Sequence, residues 1–201
     1  MSAAGGSNVN FPMPRHTLWL AAILCLPHSI PALDLTPIHA FRELEGFRIP
    51  IVRFADGQRK VSYQPPDKWQ VSGGGGSLLV LPPGRDQAAL RFQVLPRPSN
   101  SAEQAGKPED FERWTRGLLP PDAAEVTKES ECAGQFTLGA QPSRAVIFAY
   151  TAAGQRFRAS VACVDLNDKE RLAVVVSARA PDFKAVQEEA IASLFSWNWS
   201  E

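Results

Sequence analysis

Apolar and polar positions alternate through much of the chain, and the alternation predicts strands. Phe47, Ile49 and Ile51 are interleaved with Arg48 and Pro50, a period of two that suits a half-buried strand over 47–54. Pro50 makes it an edge or bulged strand. Asp56-Gly57 then marks a tight turn, and the return strand over 59–64 carries Val61 and Tyr63. Pro65-Pro66 stops that strand, because neither proline can donate to a ladder, and Trp69 follows where a large ring can cover the end of a core. The glycine run 73–76 reads as a flexible connection between strands. It continues into the apolar strand Leu78–Leu81, without the Lys-Ser/Thr that a phosphate loop requires. Pro82-Pro83-Gly84 ends it, and Leu90, Phe92 and Val94 share one face of the next strand.

Helical spacing appears twice. Residues 96–107 are rich in Pro, Ser and Gly and form a long loop; Pro108, Glu109 and Asp110 then suit a first helical turn. Phe111, Trp114 and Leu118 recur on one face before Gly117 and Pro120-Pro121 close the helix. Strands are expected over 126–138, 144–151, 155–164 and 171–178, with turns at 139–142, Ala153-Gly154 and Asn167-Asp168, which makes an antiparallel meander. Pro181-Asp182 opens a last helix with Phe183, Val186, Ala190, Ile191 and Leu194 on its buried face. The fold class that follows is α+β: a single domain with a curved, mostly antiparallel β-sheet flanked by two helices. The domain is expected over 47–199, with 33–46 a loosely held lead-in.

Residues 1–32 stand apart from this pattern. Arg15 and His16 precede the nine-residue apolar run Leu18–Leu26, far short of the ~20 residues that span a bilayer. Pro27, Ser29, Pro31 and Ala32 supply a breaker and a small residue before a cleavage site. The stretch is therefore expected to be a secretory signal peptide cleaved after Ala32, with Met1 and Met13 both candidate starts, and the mature protein is expected to be periplasmic or secreted, with no stable membrane span. Lys+Arg and Asp+Glu both number 21, so no basic excess points to nucleic acid.

Leader removal leaves Cys132, Cys163 and a single histidine, His39. With the 139–142 turn, Cys132 falls roughly opposite Ala149. That register sets it two strands from Cys163 and offset by about 16 Å along the sheet at ~3.3 Å per residue, so a Cys132–Cys163 disulfide is not expected. One histidine outside the regular elements supplies neither a Ser-His-Asp nor a Cys-His centre, and two separated cysteines do not make a zinc site. No cofactor or metal is implied. Carboxylate chemistry would have to use Glu129, Glu131, Asp165 and Asp168, the first two expected on one strand face. Arg156 and Arg158, two apart on one strand, are candidates to meet an anionic group. Trp197 and Trp199 either present an aromatic contact or lock the last helix in place.

The strand and Pro-x-x-x-Trp of Val61-Ser-Tyr-Gln-Pro-Pro-Asp-Lys-Trp69, the helix with Phe111 and Trp114, the meander over 126–178 and the terminal Ser193-Leu-Phe-Ser-Trp197 together resemble the PsbP-like α/β/α sandwich superfamily, over about 47–199. The glycine run and the 96–107 loop depart from that pattern. The resemblance implies the sandwich fold and a non-enzymatic accessory role, with no named partner. The expected function is an exported, non-catalytic accessory or binding module of the bacterial cell envelope, whose partner is an unspecified envelope protein or small ligand. The alternatives are a carboxylate-dependent hydrolase of envelope polysaccharide and a structural subunit of an envelope assembly. No residue pattern specifies the oligomeric state.

Overall fold

The computed structural model describes residues 33–57, 59–97, 108–138 and 141–200. The expected leader, most of the 96–107 loop and the centre of the 139–142 turn lie outside the described residues. Among the described residues eleven strands run β1 (Leu33–Leu44), β2 (Phe47–Asp56), β3 (Arg59–Tyr63), β4 (Gln70–Gly74), β5 (Ser77–Leu81), β6 (Ala89–Pro96), β7 (Ala124–Leu138), β8 (Gln141–Ala152), β9 (Gln155–Asp165), β10 (Glu170–Arg179) and β11 (Asn198–Ser200). Helix α1 (Pro108–Arg116) precedes β7, and helix α2 (Phe183–Leu194) precedes β11. Every strand pairing is antiparallel.

The strands form two sheets where the sequence suggested one. A four-stranded sheet has the order β1-β2-β3-β11, and a seven-stranded sheet the order β4-β5-β6-β10-β9-β8-β7. The predicted meander is the β7–β10 half of the larger sheet. Both faces of this sheet are covered, so its central strands read as continuous apolar runs, such as Leu172–Val176. On one face Leu90, Phe92, Ala162, Leu172 and Val174 join Val52, Phe54, Val61 and Tyr63 of the smaller sheet and Phe183, Val186, Ala190 and Leu194 of α2 in the main core. On the other face Val146, Phe148, Tyr150, Ala159, Val161 and Val175 form a smaller core that Phe111 and Leu118 at α1 cover in part.

Val61–Trp69 forms the strand, proline stop and covering ring expected. Tyr63 is buried with its hydroxyl 2.8 Å from Ser193 Oγ of α2, and Trp69 is buried with its indole N–H donating to Glu189 at 3.2 Å. The expected lead-in, however, is strand β1, with Leu33 and Leu35 fully buried; Pro37 hides it, because the ladder shifts between Asp34 and Ile38 to pass that residue. Strand β2 is therefore internal and β1 is the edge. Pro50 is tolerated because β3 pairs only with Val52–Asp56, so at Pro50 β2 has one partner and one open side.

The glycine run is no flexible connection. Gly73 and Gly74 end β4, and the hairpin tip is held at two points: Leu35 N–H of β1 donates to Gly75 O, and Val94 N–H of β6 donates to Gly76 O at 2.8 Å. The seven-stranded sheet is thereby tied to the first strand of the other.

Candidate interaction surface

Beyond Pro37 the paired strands β1 and β2 leave the body of the protein as a two-stranded ribbon. Leu44 and Phe47 close it through Glu45 (φ 49) and Gly46 (φ 84), the two consecutive positive-φ residues of a tight hairpin turn. Among the described residues five large hydrophobic side chains are exposed, and four stand here: Ile38 at 61%, Phe41 at 56%, Leu44 at 52% and Phe47 at 73%. Single exposed apolar side chains are ordinary on protein surfaces; a group of four on one projecting element marks an interaction site.

The register sorts them. Ile38, Ala40, Arg42 and Leu44 share one face with Phe47, Ile49 and Ile51, while His39, Phe41 and Glu43 share the other with Arg48, Pro50 and Val52. On that second face the Arg48 guanidinium lies over the Phe41 ring, 4.7 Å from its centroid. Arg42 reaches Gln64 at 3.4 Å, next to the proline pair. Among the described residues the β1 side of the ribbon ends the four-stranded sheet, so alternate main-chain N–H and C=O groups from Ile38 to Leu44 face outward as a pairing template. The signal in the sequence was Glu45-Gly46 between two apolar alternations, obscured because each arm contains a proline.

The residues singled out from sequence do not converge. Trp197 is 4% exposed and sits between the sheets, its ring 5.7 Å from Phe54, 5.6 Å from Phe92 and 5.8 Å from Tyr63. Trp199 lies on β11 opposite Val61 of β3 and packs edge-on to Trp197 at 6.0 Å. The tail thus closes the smaller sheet, the locking alternative. Arg158 is bound by Glu129 and lies over Phe183 at 4.9 Å, which leaves Arg156 as the exposed member of that pair.

The acids are separated too. Strand β7 shifts register between Lys128 and Ser130, so Glu129 is an extra, bulged residue. Glu129 turns to Arg158 on the α2 side, whereas Glu131 accepts from Arg144 at 2.7 Å and Lys128 at 2.7 Å beneath α1. Expected on one face, the two carboxylates lie on opposite faces. Hydrogen bonds from Lys128 and Arg144 hold the Glu131 carboxyl below the usual carboxylate range. Asp165 meets Arg171 at 3.2 Å and Arg97 at 3.4 Å, and Asp168 stays exposed in the β9–β10 turn. Arg144 and Arg171 stack on Phe111 and Trp114 of α1, at 4.1 and 5.0 Å. Among the described residues no group of three or more His, Cys, Asp or Glu side chains is arranged to hold a metal ion.

Both cysteines are free, through a register different from the expected one. A tighter β7–β8 turn and the shift between Ala133 and Thr137 bring Cys132 opposite Ala145, itself opposite Ala162, so the offset from Cys163 is one residue along the sheet. Two strand spacings, about 10 Å, still separate them. Odd and even positions also face opposite ways: Cys132 packs on the main core, while Cys163 looks toward Arg171 and Arg144. Burial pushes the Cys163 thiol up to about 11.

The open concavity along Pro65, Pro66, Ala192 and Ser196, about 470 Å³, offers few unused polar groups, since Ser196 Oγ and both Glu189 oxygens are already engaged.

No family model matches the chain, and no curated protein matches it. Among solved structures it is similar to LpqN, involved in cell envelope biogenesis of Mycobacterium tuberculosis, at 10% identity over 82% of this chain and 92% of that one, with a TM-score of 0.49. It is also similar to the cyanobacterial PsbP (CyanoP) of Synechocystis, at 12% identity over 69% of this chain and 85% of that one, with a TM-score of 0.48. The second likeness is to the superfamily that the strand–proline–tryptophan pattern resembles. Likenesses at these values say nothing of what the chain binds.

Proposed function

We propose that this protein is an exported, non-catalytic binding module of the bacterial cell envelope and that it binds protein through the β1–β2 ribbon. One observation carries the reading: four of the five exposed large hydrophobic side chains among the described residues lie on that ribbon. The pattern of Arg15, Leu18–Leu26 and Ala32 supports export, and no helix of the described residues is long and apolar enough to cross a membrane. The hydrolase reading gains no support. A general acid needs a raised pKa, but Glu131 is shifted down, Glu129 and Asp165 are salt-bridged, and Glu129 and Glu131 face opposite ways.

Crosslinking in the cells that make the protein tests the binding reading. Replacing Ile38 and Phe47 by Asp, both exposed, is expected to leave the far-UV circular dichroism spectrum that of the folded chain and to remove the crosslinked adducts; adducts that persist at full yield would rule out the ribbon. Fractionation of a chain lacking 1–32 tests export, with retention in the cytoplasm as the expected result.

A further inference from the structure

We infer that the partner of the ribbon is a second copy of this chain, joined edge to edge through β1. The inference rests on the ribbon being the binding surface and adds what it binds. The free edge has sharp limits. At Leu35 and Thr36 it is already occupied, since Leu35 N–H donates to Gly75 O and Thr36 Oγ accepts from Gly75 N–H at 3.2 Å. At its other end the chain turns at Glu45-Gly46. Among the described residues no strand pairs with Ile38 to Leu44 on that side.

Symmetry restricts how two such edges can meet. An antiparallel pair of identical strands is related by a two-fold axis perpendicular to the sheet, which keeps every side chain on its own face. Residues directly opposite must therefore have the same parity, so the axis passes through one residue, which then faces its own copy. An axis at Arg42 or at Glu43 sets like charges directly opposite, which is destabilising. An axis at Ala40 runs Leu44 against Thr36, whose edge Gly75 already covers. Phe41 is the midpoint of the open stretch, and an axis there uses all of it.

That register also gives favourable pairs. Phe41 faces Phe41 of the second copy, Ile38 faces its Leu44, and Ala40 faces its Arg42. His39 faces its Glu43, a hydrogen-bonding pair made twice. Three of the exposed hydrophobic residues, Ile38, Phe41 and Leu44, are thereby covered. The two four-stranded sheets become one continuous eight-stranded sheet, and the exposed edge that invites uncontrolled pairing is removed by closed two-fold association.

Sedimentation equilibrium on the purified protein over a concentration series tests the proposal, and the expected result is twice the chain mass. Phe41→Lys sets two cations opposite each other and is expected to abolish the dimer while the far-UV circular dichroism spectrum stays that of the folded chain, whereas Phe41→Leu retains it. Cysteine substitution reads the register, because directly opposite Cα atoms lie within disulfide reach, at about 4.5 to 5.5 Å. Phe41→Cys should crosslink to itself under oxidation above the background set by the parent's own cysteines. Ile38→Cys and Leu44→Cys should each fail alone and crosslink when mixed.

A monomer at every concentration, a self-crosslink by Leu44→Cys alone, or a monomer that floats with phosphatidylglycerol vesicles would each overturn the proposal. If the protein is a monomer and the Ile38/Phe47 variant still loses its envelope adducts, self-pairing fails and the binding reading stands. If the dimer forms and the adducts are unchanged, self-pairing stands and the heterologous contact lies elsewhere.

Discussion

Trp197 shows how one side chain joins the two sheets. Its ring stacks on Phe54 of β2 at an interplanar angle of 28° and on Phe92 of β6 at 26°, so it contributes buried area and ring geometry together. Trp197→Ala should lower unfolding stability by about 3 to 5 kcal/mol, measured by urea denaturation; a loss under about 1 kcal/mol would mean that the core collapses around the gap. The cysteines differ at the same scale. Cys163 is buried with its thiol pushed up by desolvation, and Cys132 is half-buried and shifted the same way to a smaller degree. Iodoacetamide should modify native Cys132 well before Cys163, since only thiolate reacts, and equal rates would show that Cys163 is reached through an opening of β9. The burial of Tyr63 and Phe92 was legible from period-two spacing, and that of Trp69 from its place after the proline stop. That of Trp197 was not, because a tryptophan after a helix can face either way until its partners from two sheets are in place.

Among the elements, turns proved easier to read than ladders. Ala153-Gly154 (φ 47 and 74) is the two-residue turn expected, with Tyr150 opposite Phe157 and Ala149 opposite Arg158. The β7–β8 register was not legible. A tighter turn, with Leu138 opposite Gln141, and the shift between Ala133 and Thr137 move Cys132 from opposite Ala149 to opposite Ala145, and β7 is too exposed along most of its length for an apolar alternation to show where its extra residues fall. β4 was hidden for another reason: its last two residues are glycines, and only the structure distinguishes their roles. A Cβ at Gly73 would lie 2.5 Å from Ser77 O and 2.9 Å from Leu78 Cα, whereas one at Gly74 would meet only Thr36 Oγ at 3.7 Å. Gly73→Ala should therefore cost about 1 to 3 kcal/mol as overpacking against main chain. Gly74→Ala should be neutral or stabilising by up to about 1 kcal/mol through the unfolded state. Thermal melts of the two variants side by side would decide it, and equal effects would mean that the hairpin shifts to make room.

The molecule as a whole is clasped differently on its two sides, and this could not be read from composition alone. α2 is held mainly by Phe183, Val186, Ala190 and Leu194 in the main core, with its one acidic anchor, Glu189 to Trp69 and Arg85, at the margin of that contact. α1 has a thinner apolar contact and a chain of charges: Arg116 to Glu112 at 3.0 Å, Glu112 to Lys128 at 3.5 Å, Lys128 to Glu131 and Glu131 to Arg144. Hydrogen bonding from Arg116 lowers the Glu112 pKa, and that from Lys128 lowers the Glu131 pKa. Because the folded values lie below the unfolded ones, the stabilisation is complete above the ordinary carboxylate range and is lost as pH falls through the folded values. Acidification from about pH 5 to 2 should therefore release α1 while α2 stays docked. In hydrogen exchange corrected for the intrinsic rate, amides of Phe111–Arg116 should lose protection at a higher pH than those of Phe183–Leu194. Glu131→Gln should reproduce part of that loss at neutral pH by removing the carboxylate from its two cations. Simultaneous loss of both helices would mean that the acid transition is global and that the charged clasp contributes no separate step.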